Sequence, residues 1–316
     1  MKRATGRIPS GQSVQLAVQA PHVQLQPDMP TAQALRLIVQ ACLRHLIANQ
    51  AGVAAGQGEA LHQMRLALRR LRVTLSLFAE LAADRQVRQI KARLRELLDT
   101  LGPARDLDVV IEEFLRPLRH RYGGRRGLAG LCREFEERRA RALRRIAAGV
   151  QGAKFRALYT DLATWVESEP SAAANRDIAA WAGGELARRR RRLKRAGRDI
   201  GSLAPAERHR LRIRAKKLRF AYESFACLAS GRRRQMRQVA ALAALRDLQS
   251  ALGALSDIAQ CVALMSGVAR ARSRTASASA ARLVVAAVEA RCPQLVLSAQ
   301  ESCDRFCAVK PFWEER

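Results

Sequence analysis

Three observations predict an all-α protein. Ala, Leu, Arg and Glu dominate the 316 residues, aromatic residues make up only 4% and β-branched runs are short, a bias typical of helical chains. Apolar residues recur with a 3.6-residue period along most of the sequence. One amphipathic stretch also occurs twice. His62-x-x-Arg65-x-x-x-Arg69-Arg70-Leu71-Arg72 returns as His209-x-x-Arg212-x-x-x-Lys216-Lys217-Leu218-Arg219, a shift of 209 − 62 = 147 that still holds between Phe78 and Phe225. Such a repeat predicts an internal duplication.

Taken in order, residues 1–30 are Gln-rich, Pro-punctuated and basic at the start, the composition of a flexible arm. Thr31 is expected to cap a first helix, reaching about Asn49, with Leu35, Ile38, Cys42, Leu43 and Leu46 as its apolar stripe. A glycine-punctuated loop, Gly52 to Gly58, leads into the first signature helix, about Glu59 to Ala83. A third helix covers about Asp84 to Leu101, and Gly102-Pro103 is expected to stop it. Asp106 and Asp108 would then occupy the first turn of a fourth helix, where carboxylates suit the helix dipole. Glycines 123, 124 and 127 mark the next break, and helices follow over about 128–150 and 154–167.

Residues 168–175 read as the junction between halves, about 31–167 and 176–290. The second half opens with a helix over about 176–200 carrying the run Arg188 to Arg192. Pro205 starts the second signature helix, which reaches about Leu228. A helix from Arg233 to Leu252 is expected to end at Gly253, with Ser256-Asp257 starting another. Leu101-Gly102-x-x-x-Asp106 and Leu252-Gly253-x-x-x-Asp257 match at a shift of 151, which also pairs Arg95 with Arg246. A helix around 280–291 closes the second half. Residues 291–316 read as a tail whose Phe312 and Trp313 pack on the body.

Winding the signature stretch at ~100° per residue puts His62, Arg65, Arg69 and Arg72 within an arc of roughly 80°. Met64, Leu68, Leu71, Leu75 and Phe78 fall opposite. In the second copy His209, Arg212, Lys216 and Arg219 share the arc, with Leu211, Ala215, Leu218, Tyr222 and Phe225 opposite. A charged arc is often only a solvated face. This one is nearly free of acid and recurs in register, whereas surface helices usually mix signs to gain i,i+4 pairs. An anion-binding face accounts for both features.

The whole chain carries the same signal: 57 Lys+Arg against 28 Asp+Glu, a formal net charge of +29. Self-repulsion of that size points to a polyanionic partner, whether nucleic acid, an anionic membrane or a polymeric phosphate. No stretch approaches 18 uninterrupted apolar residues, so no membrane span is expected. The basic N-terminus lacks the apolar core of a secretory signal, and the seven cysteines are odd in number with no C-x-x-C pair. Buried thiols in a reducing, cytoplasmic setting are the expectation. No P-loop, no Ser/His/Asp set and no carboxylate cluster is present, so neither catalysis nor a metal or other cofactor is expected.

Four stretches together resemble one known family, the CHAD domain (conserved histidine α-helical domain). They are the two signature helices, the second continuing through Tyr222-Glu223; Leu101-Gly102-Pro103-Ala104-Arg105-Asp106-Leu107-Asp108; and Leu248-Gln249-x-x-Leu252-Gly253-x-x-x-Asp257. The resemblance spans about residues 30 to 290. It implies two pseudo-symmetric four-helix bundles around a basic channel or cleft that binds inorganic polyphosphate, often on polyphosphate granules. Many relatives carry a triphosphate-tunnel (CYTH) domain. None is seen in this sequence, which reads as a stand-alone member.

Under that implication Arg65, Arg69 and Arg72 would face Arg212, Lys216 and Arg219, with Lys91, Arg95, Arg105, Arg191, Arg195 and Arg246 on the flanks. Arg70 and Lys217 lie roughly 80° round from the histidines and fit less well. His62 and His209 admit three readings: phosphate contacts, structural hydrogen-bonding groups, or metal ligands, the last without companions at ligand spacing. Asp106 and Asp257 are expected to cap helices or orient arginines, and Glu223 to pair with one. Nucleic acid remains the alternative polyanion, although no aromatic residue lies in either basic arc to stack on bases.

Overall fold

The structure is a computed structural model and describes residues 17–80, 85–124, 126–168, 176–271 and 275–314. It is helical, and no β-strand occurs among the described residues. The order is α1 (Thr31–Ala48), α2 (Gln50–Ala54), α3 (Gly58–Leu77), α4 (Arg85–Val109), a π-helical segment (Val110–Leu115), α5 (Arg116–Arg121), α6 (Arg126–Gln151), α7 (Ala153–Glu167), α8 (Ile178–Ala196), α9 (Pro205–Ser224), a 3-10 turn (Ala226–Leu228), α10 (Arg232–Ala271), α11 (Ala276–Glu289) and α12 (Cys292–Ala308).

Both signature helices bury the expected faces. Met64, Leu68, Leu71, Leu75 and Phe78 are fully buried, as are Leu211, Ala215, Leu218, Tyr222 and Phe225. The two helices meet at aromatic rings: Phe78 and Phe225 pack edge to face at 6.2 Å, and Trp181 of α8 stacks on Phe78 at 4.4 Å. Such pairs add specific geometry to the area they bury. The larger apolar cluster draws on α1, α3, α4, α7, α8, α9, α10 and α12. A smaller one joins the π segment, the start of α6, the end of α10 and α11. Each cluster uses residues from both chain halves.

Several expected boundaries differ. Gly102-Pro103 does not end a helix, because α4 runs through Pro103 to Val109. A proline inside a helix removes one N–H from the ladder. Here Arg65 of α3 donates through Nη1 to the carbonyls of Leu101 and Gly102, the latter at 3.4 Å, just before the proline. Asp106 and Asp108 therefore sit deep in a long helix, not in a first turn, and Asp108 pairs with Arg139 of α6. Likewise α10 passes straight through Gly253 and Ser256-Asp257 for 40 residues, ~60 Å at 1.5 Å per residue, linking both clusters. By length and composition α10 could cross a membrane; Leu245, Leu248 and Leu252 are buried in the larger cluster.

Gly127 does not break the chain either. It lies in α6, where a Cβ would come within 2.1 Å of the Ala276 carbonyl oxygen, so its lack of a side chain permits the close approach of α11. Residues 292–308, expected in the tail, form α12, with Pro293 near its start and Ala299, Cys303 and Phe306 buried at helical spacing. Phe312 and Trp313 pack on Tyr222 at 5.4 and 5.5 Å.

Residues 17–30 lie against the body, unlike the flexible arm expected over 1–30, of which 1–16 fall outside the described residues. Val18 and Asn49 exchange two hydrogen bonds of 3.0 and 2.9 Å, and Leu25 is buried. Thr31 does not cap α1 with its side chain; its hydroxyl donates to the Arg176 carbonyl at 2.5 Å. With Ile178 N–H donating to the Met29 carbonyl at 2.9 Å, this ties the start of α1 to the start of α8.

Candidate functional site: a cationic pocket between the signature helices

A pocket of about 410 Å³ opens between the N-terminal parts of α3 and α9, the C-terminal end of α4 and the middle of α10. His62, Arg65 and Arg69 enter from α3, His209 and Arg212 from α9, Arg105, Asp106 and Asp108 from α4, and Asp257 from α10. Nine side chains separated by up to 195 positions (257 − 62) thus converge. Arg65 lies over Gly102, and the Arg212 Nε lies 3.8 Å from where a Cβ on Gly253 would be.

Crowding of like charge dominates the electrostatics. Burial, then Arg69, hold Arg65 down to about 10, while Asp106 opposes them. Arg69 is lowered by burial and then by Arg212 and Arg105. Lys216, one helical turn beyond Arg212, is pushed down to about 7 by burial and by Arg69, Arg212, Arg219 and Arg65. Desolvation disfavours each charged form and neighbouring cations compound it. Asp257 is raised by burial, which outweighs the opposing pull of Arg212 and Arg105. The site is a crowd of cations with Asp106, Asp108 and Asp257 among its lining, and its excess positive charge suits an anionic ligand.

The remaining predicted residues distribute differently. Arg219 forms an ion pair with Glu223 at 3.5 Å and still contributes to the field on Lys216. Arg72 stands beside Lys217, whose Nζ approaches Ser76 Oγ at 3.4 Å and whose charge is opposed by burial, Arg189 and Arg72. These define a second basic group farther along α3. Lys91, Arg95, Arg191 and Arg195 do not line the pocket. Lys91 and Arg95 precede Arg105 by 14 and 10 residues on α4, ~21 and ~15 Å at the helical rise, and Arg191 and Arg195 are exposed on α8. Arg246 and Glu223 line a different pocket, together with Arg70.

In the arginine run of α8, Arg188 and Arg189 grip Glu185. Arg190 is buried under the Phe306 ring at 4.6 Å and donates to the carbonyls of Cys307 and Val309. Sequence reasoning missed Ser256 and Gln260 as pocket residues; Gln260 lies one turn beyond Asp257 on α10, so the helical period was the available signal. Among the described residues no group of three or more His, Cys, Asp and Glu is placed to hold a metal ion.

The family model described as CHAD domain matches residues 37–266. Among solved structures, the chain is similar to the crystal structure of the CHAD domain from the plant Ricinus communis (TM-score 0.77, 23% identity, covering 92% of this chain and 96% of that one). It is also similar to PptA from Streptomyces chartreusis (TM-score 0.66, 18% identity, covering 87% and 100%). No curated protein matches it at a comparable level. The family match covers well over half the chain, and the four stretches that resemble the family fall within it or on its helices: the chain belongs to the CHAD domain family.

Proposed function

We propose that this protein binds inorganic polyphosphate without processing it, through the pocket between α3 and α9. The observation that carries this reading is the convergence of Arg65, Arg69, Arg105 and Arg212 on one volume, with Lys216 one turn beyond Arg212 and outside the lining; burial and neighbouring arginines disfavour the charges of Arg65, Arg69 and Lys216. A linear polyphosphate supplies one anionic phosphate after another with no base edges to read. A row of guanidinium and ammonium groups on rigid helices suffices to hold it, because the donors are positioned before binding. His62 and His209 flank the same opening and add ring N–H donors. The two signature helices act as the halves of one duplicated site, with the second basic group, Arg72, Lys217 and Arg189, extending the track. The protein works in the cytoplasm, on polyphosphate granules where the polymer is concentrated.

A competition titration tests this: long-chain polyphosphate against tRNA and duplex DNA, at two salt concentrations. Polyphosphate should win at physiological salt, with an affinity that falls steeply as salt rises, because bound counterions are released. Equal competition by nucleic acid would refute the reading. Incubation with polyphosphate and a divalent metal, followed by a phosphate assay, should show no release; turnover would make the protein an enzyme.

A further inference from the structure

We propose that a second pocket, closed over by residues 20–24, binds a small amphipathic organic anion at a site separate from the polyanion pocket. Its volume is about 650 Å³, inside the ~300–1,000 Å³ range of small-molecule sites. Its walls are of two kinds. Ile38, Phe220 and Leu242 make an apolar side, and the guanidinium groups of Arg70 and Arg246 make a cationic one.

Two buried polar atoms here make no hydrogen bond among the described residues: Arg70 Nε, a donor, and His45 Nδ1. His45 is 1% exposed and lines the pocket. Its tautomer follows from its neighbours. Gln63 Nε2 donates to Glu59 at 2.8 Å, which turns Gln63 Oε1 toward His45 Nε2 at 3.1 Å. Nε2 therefore carries the hydrogen and Nδ1 the bare lone pair. Burial lowers the His45 pKa and keeps the ring neutral. Val18's carbonyl is nearby, but a carbonyl oxygen only accepts, so it cannot serve the Nδ1 lone pair.

Unpaired buried groups are costly, and a ligand that pairs both recovers that cost. Such a ligand carries an anionic head for Arg70 and Arg246, an apolar body for the opposite wall, and one hydrogen-bond donor for His45. Polyphosphate has neither an apolar body nor an N–H. Glu223, also in the lining, is engaged by Arg219 at 3.5 Å, and among the described residues it forms no ion pair with Arg70 or Arg246.

The probe 8-anilinonaphthalene-1-sulfonate has a sulfonate, two aromatic ring systems and one N–H. Titrated into the full chain by fluorescence and calorimetry, it should bind saturably with one equivalent per chain. Ala226→Trp, which fills the pocket from its half-buried edge, and Arg70→Gln should each weaken binding about tenfold or more, with melting curves confirming the fold. Arg69→Glu with Lys216→Glu should leave the probe's affinity unchanged, and long-chain polyphosphate should not displace it. Equal affinity in wild type and both pocket variants, or stoichiometric displacement by polyphosphate, overturns the proposal. Neither result depends on whether polyphosphate is the ligand of the first pocket.

Discussion

The two signature helices carry nearly the same motif and live in different surroundings. α3 is enclosed by α1, α4 and α9, with twelve of its residues buried. α9 lies nearer the surface, with five. Arg65 is correspondingly 7% exposed and spends its guanidinium on the carbonyls of Leu101 and Gly102, whereas Arg212 is only half-buried and makes no such bond among the described residues. Where α9 has Glu223 beside Arg219, the equivalent position of α3 (223 − 147) is Ser76, which receives Lys217 and Arg189 from its hydroxyl and carbonyl sides. Arg65 of one copy has been drawn into holding the fold, whereas Arg212 of the other keeps its guanidinium off the backbone among the described residues.

Four effects would break or sharpen that contrast. The largest effect belongs to the pair the two helices share: Arg69→Glu with Lys216→Glu should weaken polyphosphate binding about a hundredfold or more, since two positive contacts become repulsive. Circular dichroism should stay native; loss of helical signal would show that this face holds the fold together. Next, Arg65→Ala should cost about 2 kcal/mol in urea unfolding, because carbonyls at the Pro103 turn lose a buried donor, while Arg212→Ala should cost less than about 0.5 kcal/mol. Equal costs would erase the distinction between the helices.

The third effect depends on pH. Lys216 is held near 7 against its ordinary 10.5. Between those values the unfolded chain binds more protons than the folded one, so stability rises with pH across that window. Below about pH 7 both states are protonated and the cost of the buried charge is fully present. Lys216→Met should therefore raise the melting temperature at pH 6, with the gain shrinking by pH 10. Wild-type affinity for polyphosphate should also fall severalfold from pH 6.5 to 8.5, and Lys216→Arg should flatten that profile. The smallest effect is expected at Arg195, exposed on α8 and outside both pockets: Arg195→Gln should change polyphosphate affinity less than about twofold.

Legibility followed the range of the interaction involved. The buried stripes of α3 and α9 were readable residue by residue, because a helix that buries one face repeats that choice every three or four residues. The cationic arcs follow from the same periodicity, but the period does not say which members share the pocket: Arg72, Lys216 and Arg219 of the arcs lie outside its lining, as do Arg70 and Lys217. The helix ends at Gly102-Pro103 and Gly253 were misjudged. Local propensity disfavours both residues in a helix by roughly 1 to 3 kcal/mol, yet packing on both sides and the Arg65 hydrogen bonds outweigh it. The α8 arginine run looked uniform in sequence. Only its neighbours, Glu185, Phe306 and the Cys307 and Val309 carbonyls, separate its structural members from the exposed ones.

Residue order alone was enough for an all-helical chain, the repeated motif, the inward and outward face of each signature helix and an excess of 57 Lys+Arg over 28 Asp+Glu. Each of these depends on residue type and on spacings within a turn or two. Tertiary structure alone decided which cations share a pocket: Arg105 and Asp257 join His62 and Arg212, whereas Arg246 and Arg70 are assigned elsewhere. A helical wheel specifies the direction of a side chain but not what faces it. That choice is made by apolar packing between elements far apart in the chain, such as Phe78, Trp181 and Phe225, whose free energy has no local signature.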